Sequence, residues 1–424
     1  MTWLSGWGNR IELTFDGSKI EEDLIYFPVM IALTSTAGQT NTDVTDVFNT
    51  LSGSDLKIAI ADQDANQSYV EIENWDAYNK KATLWSNVTL SSGINTKYYL
   101  YYDVTHVDNT NYVGETGSVP ATQVWDTDFI RVYHATASGS TMYDSTSNAA
   151  NATLYKTTSN IEGPLGDTAL YLNDGYFNLT SAGFSQHNGT IECFVQLVTQ
   201  PYTMWLFSEQ GSGNNNNEIE IYVETDDDLH FVMWNGASEQ QVSPFPKLDV
   251  DGSWHMVSAS YNSSIGGQKL YIDGSLSASR ASFTAPATMG SLIYCGAHDA
   301  GTDLAAHMYI NEYRLSVIDR SSAWLKATYY SNTDDLISFN TTDRYFFMSG
   351  YVKEKGVPVT RTVRAYRRDT GELVHSTTSD PSTGYYYLQT TYSGVHSIVC
   401  LDDDEGEVYN DLIIGRATVS GVEV

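Results

Sequence analysis

Five side chains between Trp205 and Asn235 have the types and the spacing to hold a sugar. A pyranose ring is bound by stacking on flat aromatic faces, with amides and carboxylates nearby to bond its hydroxyls. The run "HFVMWNG" supplies His230, Trp234 and Asn235 near a strand end, Tyr222 lies on the polar face of the preceding strand, and Trp205 in "YTMWLF" adds another ring. The same residue types also make ordinary cross-strand pairs. In "EIEIYVE", Glu218, Glu220 and Glu224 alternate onto one face, which reads as a solvated strand face.

Other chemistry finds little footing. No GxSxG, HExxH or GxxxxGK[ST] motif occurs, and the nine His residues are scattered. "DQDANQSYVEIE" puts Asp62, Asp64, Asn66 and Glu73 at positions 1, 3, 5 and 12 of a calcium-type loop. Its sixth position is Gln67 instead of the required glycine and no helices flank it, so a hairpin turn is expected. Cys193, Cys295 and Cys400 are too far apart for a CxxC site and sit in strand-like runs, as buried small hydrophobes. Arg361, Arg364, Arg367 and Arg368 read as a solvated strand edge.

The elements that must carry these residues are strands. The chain has 424 residues, 41% of them hydrophobic, 12% aromatic and 17% charged, which suits several half-buried sheets. "IELTFD" alternates strictly, and "FPVMIAL", "LKIAIA", "SYVEIENW", "ATLWSNV" and "KYYLYYDV" follow at short intervals with turn residues between them. A polar stretch after Tyr102 sets one boundary, and the turn-rich "SNTDDLISFNTTDR" sets another. The expected fold class is all-β, with three β-sandwich domains at 1–118, 119–340 and 341–424. The Asn-rich "SGNNNN" reads as a loop, and "DRSSAWLKATYYSN" as the one good short helix, capped by Ser321 or Ser322. The formal charge of -30 repels polyanions, so no nucleic-acid partner is expected. "MTWLSGWGNR" has no basic or apolar leader pattern and no apolar run is long enough to span a bilayer. The expectation is a chain made in a host cytoplasm without a signal peptide and without membrane insertion. No heptads enforce an oligomer, which leaves a homo-oligomer open.

Residues 119 to 340 resemble the laminin-G-like and concanavalin-like lectin and glucanase superfamily. The resemblance is carried by "MYDSTSNAANATLY", "ALYLNDGYFNL", "GTIECFVQL", "GSWHMVSASYN", "KLYIDGSLSAS" and "NEYRLSVIDRSSAWLKATYYSN". It implies that the central sandwich is a concanavalin-like jelly roll. It also implies a structural calcium ion at Asp144, Asn311 and Glu312, with an amide where relatives carry an acid. Residues 1–118 resemble a sandwich domain of unknown function that precedes such lectin-like domains in microbial surface and virion proteins. The tail, "SGYVKEKGVPVTRTVRAYRRDTGELVHSTTSDPSTGYYYL" with "CLDDDEGEVYNDLIIGRATV", resembles transthyretin-like or Ig-like sandwiches of bacteriophage structural proteins. Together these imply a non-enzymatic accessory protein exposed on a virion, tail or capsid, whose partners are host-surface polysaccharide and other virion proteins. A glycan-degrading depolymerase and a purely structural adaptor are the alternatives. Glucanase relatives carry an ExDxE-type strand motif that this chain lacks.

Overall fold

The computed structural model describes residues 3–163, 168–199, 202–210, 217–298, 307–340, 343–344, 346–392, 394–403, 411–418 and 420–421. The Asn-rich loop therefore lies outside the described residues except for Asn217. The structure is nearly all β, as the alternation predicts.

The first sandwich stacks two sheets. One contains β1 (Asn9–Phe15), β3 (Ile58–Asp62) and β6 (Thr96–Tyr102), with β6 in the middle. The other contains β2 (Leu24–Leu33), β4 (Val70–Asp76) and β5 (Lys81–Leu90). Ile11, Leu13 and Phe15 of β1 face the same core as Leu100 and Tyr102 of β6. In β2, "LIYFPVMIAL" is apolar almost throughout because it is covered on both faces, whereas a half-solvated strand alternates. It is an edge strand, where Pro28 is tolerated. That edge is closed by the helix α1 (Ser322–Asn332), whose Ser331 hydroxyl accepts from the Met30 N–H at 2.8 Å.

The second sandwich follows from β7 (Phe129–Tyr133), which pairs with β16 (His307–Ser316). Its other main strands are β8 (Thr168–Thr180), β9 (Asn188–Leu197), β10 (Met204–Gln210), β11 (Asn217–Val223), β12 (Leu229–Asn235), β13 (His255–Asn262), β14 (Gly267–Ile272) and β15 (Leu292–Cys295). They form one continuous antiparallel sheet in the order β12-β11-β10-β15-β8-β16-β9-β13-β14. The sheet folds over on itself, so Gln268 of β14 reaches the carbonyl of Gln240, just past β12, at 3.3 Å. Between the two layers lies a second core of Ile219, Ile221, Val223, Phe231, Ile191, Val257 and Ile310, among others. Cys193 and Cys295 are buried in it as free thiols, as their strand positions predict.

Two departures from the expected boundaries matter. Ile337–Phe339, inside the segment read as a turn-rich linker, forms β17 and adds to the edge of the first sheet, with Leu13 opposite Phe339 and Phe15 opposite Ile337. The apolar side chains of this short run outweigh its flanking turn residues, because the β1 edge offers both ladder bonds and a core to enter. In addition, the first core runs on into the second sandwich and takes in Trp125, Phe129, Phe194, Met256, Trp324 and Leu325.

The C-terminal segment has a small core of its own, with Met348, Val363, Ala365, Leu388 and Ile398 between short sheets. Arg361 is not on a solvated edge there. It is buried and paired with Glu354 and Asp402, which draw its guanidinium inward.

Candidate ligand-binding face and a buried histidine–carboxylate centre

The alternation of β10, β11 and β12 sends Ile219, Ile221, Phe231 and Met233 into the core and turns the polar set outward. Register then aligns the outward side chains. Trp205 stands opposite Tyr222, and Tyr222 opposite His230, so three rings line up across neighbouring strands. Ser208 and Glu220 form the next row, and Gln210, Glu218 and Trp234 the one after it. Tyr222 and His230 stack at 4.8 Å with 8° between planes, and His230 meets Phe245 at 4.1 Å. These two turn their faces to neighbouring rings and act as a wall, while Trp205 and Trp234 are half-buried at opposite ends of the face. Asn235 caps the turn beyond β12, accepting from the Ala237 and Ser238 N–H groups at 3.0 and 2.9 Å.

The middle of this face is more organised than a solvated strand. Glu220 is only 6% exposed. Its Oε1 lies 2.8 Å from His298 Nε2, and Gln210 and the Trp205 ring both contact the same imidazole. Burial pushes the Glu218 carboxyl up, and the neighbouring Glu220 pushes it further. Glu218, Glu220 and His298 converge closely enough to share a ligand. Sequence reasoning missed His298, which sits at the end of a separate run and is brought in by β15, and it took the glutamates as solvated. Strand alternation reads the same whether the outward face meets water or a wall.

The residues implied for calcium are placed differently. Asp144 is buried and organises its own turn, where its oxygens accept from the N–H groups of Val132, Thr146 and Ala150 and from the Thr146 hydroxyl, at 3.0 to 3.1 Å. Asn311 donates to the Thr168 carbonyl. Glu312 takes a left-handed backbone, φ 51°, at a bulge where β16 slips against β9, and this turns its carboxylate away toward another partner set. Asp144 belongs to neither converging His–carboxylate group among the described residues. The calcium-type loop at Asp62 is a turn, with the Asp62 carboxylate accepting from the Asp64 and Asn66 N–H groups at 2.9 Å each.

Glu312 instead meets His134 at the junction of the first two sandwiches. Its Oε1 lies 2.7 Å from His134 Nδ1, and its Oε2 accepts from Arg314 at 2.6 Å. From the first sandwich, β4 contributes Glu71 and Glu73, whose oxygens lie 3.5 Å and 3.7 Å from the imidazole nitrogens. Trp85 of β5 stacks on the imidazole at 5.2 Å and donates its indole N–H to Glu73 at 2.8 Å, while Arg314 lies 4.6 Å above the Trp85 ring. Glu71 accepts from Thr116, Trp125 and Ser145. Burial alone would push His134 down, but the charges of Glu312, Glu71 and Glu73 together outweigh it and lift the imidazole well above its usual range. Burial opposes the charge on Glu312 as well, and His134 and Arg314 prevail to hold it below the carboxylate range. Glu192, opposite Arg314 on β9, is buried with neither oxygen hydrogen-bonded, and burial raises it against the pull of Arg314 and Arg320.

Residues 172–318, from inside β8 to just past β16, match the laminin-G-like family described as the concanavalin A-like lectin/glucanases superfamily, so this segment is a concanavalin-like domain. No curated protein matches the chain in sequence. Among solved structures, the binding domain of botulinum neurotoxin serotype G is similar at 14% identity and a TM-score of 0.40, over 69% of this chain and 71% of that one. The binding domain of Paraclostridial Mosquitocidal Protein 1 is similar at 11% identity and 0.40, over 67% and 73%. A Trypanosoma rangeli sialidase is similar at 12% identity and 0.40, over 63% of this chain and only 45% of the sialidase. These global overlaps are too loose to carry a functional reading.

Proposed function

We propose that the chain binds carbohydrate across the outward face of β10, β11 and β12. The observation that carries this reading is the registered surface itself, with Trp205, Tyr222 and His230 in one row, Glu218, Glu220, Gln210 and His298 beside them, and Trp234 beyond. Strand geometry separates Trp205 from Trp234 by about 13 Å along the strands and about 10 Å across them. That span fits an extended oligosaccharide with a ring on each indole and hydroxyls over the carboxylates. The match of residues 172–318 to a lectin and glucanase family supports the same class of ligand. With Glu218, Glu220 and Glu224 on the face and a chain charge of -30, neutral and amino sugars are favoured over sulfated or uronate polymers.

The setting we assign is a virion surface, where host-surface polysaccharide and neighbouring virion proteins are the partners. It is supported by the resemblance of the first and last segments to domains of virion proteins. Binding without cleavage is the chemistry we assign, because hydrolysis needs an acid and a base on either side of one glycosidic bond. Glu218 and Glu220 stand side by side on one strand, and Glu220 is already engaged by His298. A glycan array together with a reducing-sugar assay tests both statements. The expected result is retention of a neutral or amino-sugar polymer with no oligosaccharide released. Release would replace the binding reading with a hydrolytic one, and an array without any bound glycan would remove both.

A further inference from the structure

We propose that Glu73, His134 and Glu312 bind a divalent transition-metal ion of the Zn2+ or Mn2+ class at the junction of the first two sandwiches. Three observations meet here. The ligand atoms of these side chains converge within 4.8 Å of one another, and all three residues are buried. Around them carboxylates are concentrated, because Glu71, Glu73 and Glu312 stand about one imidazole beside the guanidinium of Arg314, and Glu192 adds a further buried carboxyl. A divalent cation offsets two of these negative charges, where a protonated imidazole offsets one. Gathering such charge in a buried junction without a cation is costly.

The third observation is the imidazole itself. His134 is 2% exposed, yet its Nε2 makes no hydrogen bond, with Glu71 Oε1 standing at 3.5 Å. With Nδ1 on the metal, the Nε2–H points at Glu71, which Thr116, Trp125 and Ser145 hold in place. This is the carboxylate–histidine arrangement that orients metal-bound imidazoles. Arg314 and Trp85 similarly fix Glu312 and Glu73. An entry path exists, since Glu73 and His134 open onto a cleft of about 270 Å³ that is also lined by Asp55, Trp75, Glu115 and Tyr143. Its further carboxylates draw cations inward. One imidazole and two carboxylates suit Zn2+ or Mn2+, whereas calcium takes oxygen ligands.

The test uses the full chain, stripped with chelator and titrated with Zn2+ and with Mn2+ by calorimetry. Glu73→Gln and His134→Gln remove ligands, and Glu220→Gln alters the other converging group. We expect one equivalent bound by the wild type and by Glu220→Gln, and affinity at least tenfold weaker in Glu73→Gln and His134→Gln. No saturable uptake by the wild type overturns the proposal. So does unchanged uptake in Glu73→Gln, or uptake lost only in Glu220→Gln. Should the junction variants fail to fold, pulsed electron paramagnetic resonance of Mn2+-loaded Glu220→Gln protein decides. Imidazole nitrogen coupling supports the site, and oxygen-only coordination overturns it.

Discussion

Buried acids dominate the behaviour of single residues in this chain. Glu209 points from β10 into the second core, where burial lifts its carboxyl to about 8 despite a bond from the Gly290 N–H. An unfolded glutamate titrates near about 4.3, so the folded state holds this proton more tightly. Stability from it is fully present below about pH 4 and is lost as pH rises through about 8. Glu209→Gln should therefore flatten the fall in unfolding free energy between pH 5 and 8, read by urea denaturation at each pH, and an unchanged slope would locate the titration elsewhere. Arg314 is the counterpart among cations. Replacing it by Met leaves Glu312 and Glu192 without their shared guanidinium and should cost about 3 to 5 kcal/mol in the same assay. Neither role is legible in sequence, because Glu192, Glu312, Arg314 and Glu209 occupy strand positions that alternation would fill with any residue type. Only the cross-strand register tells which of them share an enclosed space.

At the scale of elements, α1 joins what the sequence separates. Its start was legible, since Ser321 accepts from the Trp324 N–H at 3.0 Å as its N-cap. Its partner was not, because Trp324 packs edge-on against Phe27 of β2 at 4.9 Å, nearly three hundred residues away in sequence. The turn after β14 approaches the same helix so closely that a Cβ on Gly274, which has φ +70°, would lie 2.8 Å from the Lys326 backbone. Ser321→Ala should cost about 1 kcal/mol, whereas Leu325→Ala, emptying a fully buried site, should cost about 2 to 5 kcal/mol. Comparable losses from the two would mean that the helix is held by its cap and not by its docking. Most strands were readable from alternation and turn residues, but β17 was not. Three residues carry too little pattern to stand out from flanking Asn, Thr and Asp.

Across the whole molecule, the first two sandwiches share a core, an edge strand and a buried charge centre, while the C-terminal sandwich keeps a core to itself. Calorimetry should show residues 1–340 melting as one cooperative unit at the temperature they show in the full chain. A fragment of 1–118, lacking β17 and α1, should fail to fold. Independent melting of that fragment would contradict the shared core. The function rests on the outward face of β10 to β12, and the most direct measurement is calorimetric titration of the glycan best retained on the array. Trp205→Ala and Trp234→Ala, each with an unchanged melting temperature, should weaken binding about tenfold, or about 1.4 kcal/mol. Equal affinity in the wild type and both variants would contradict a sugar site on this face.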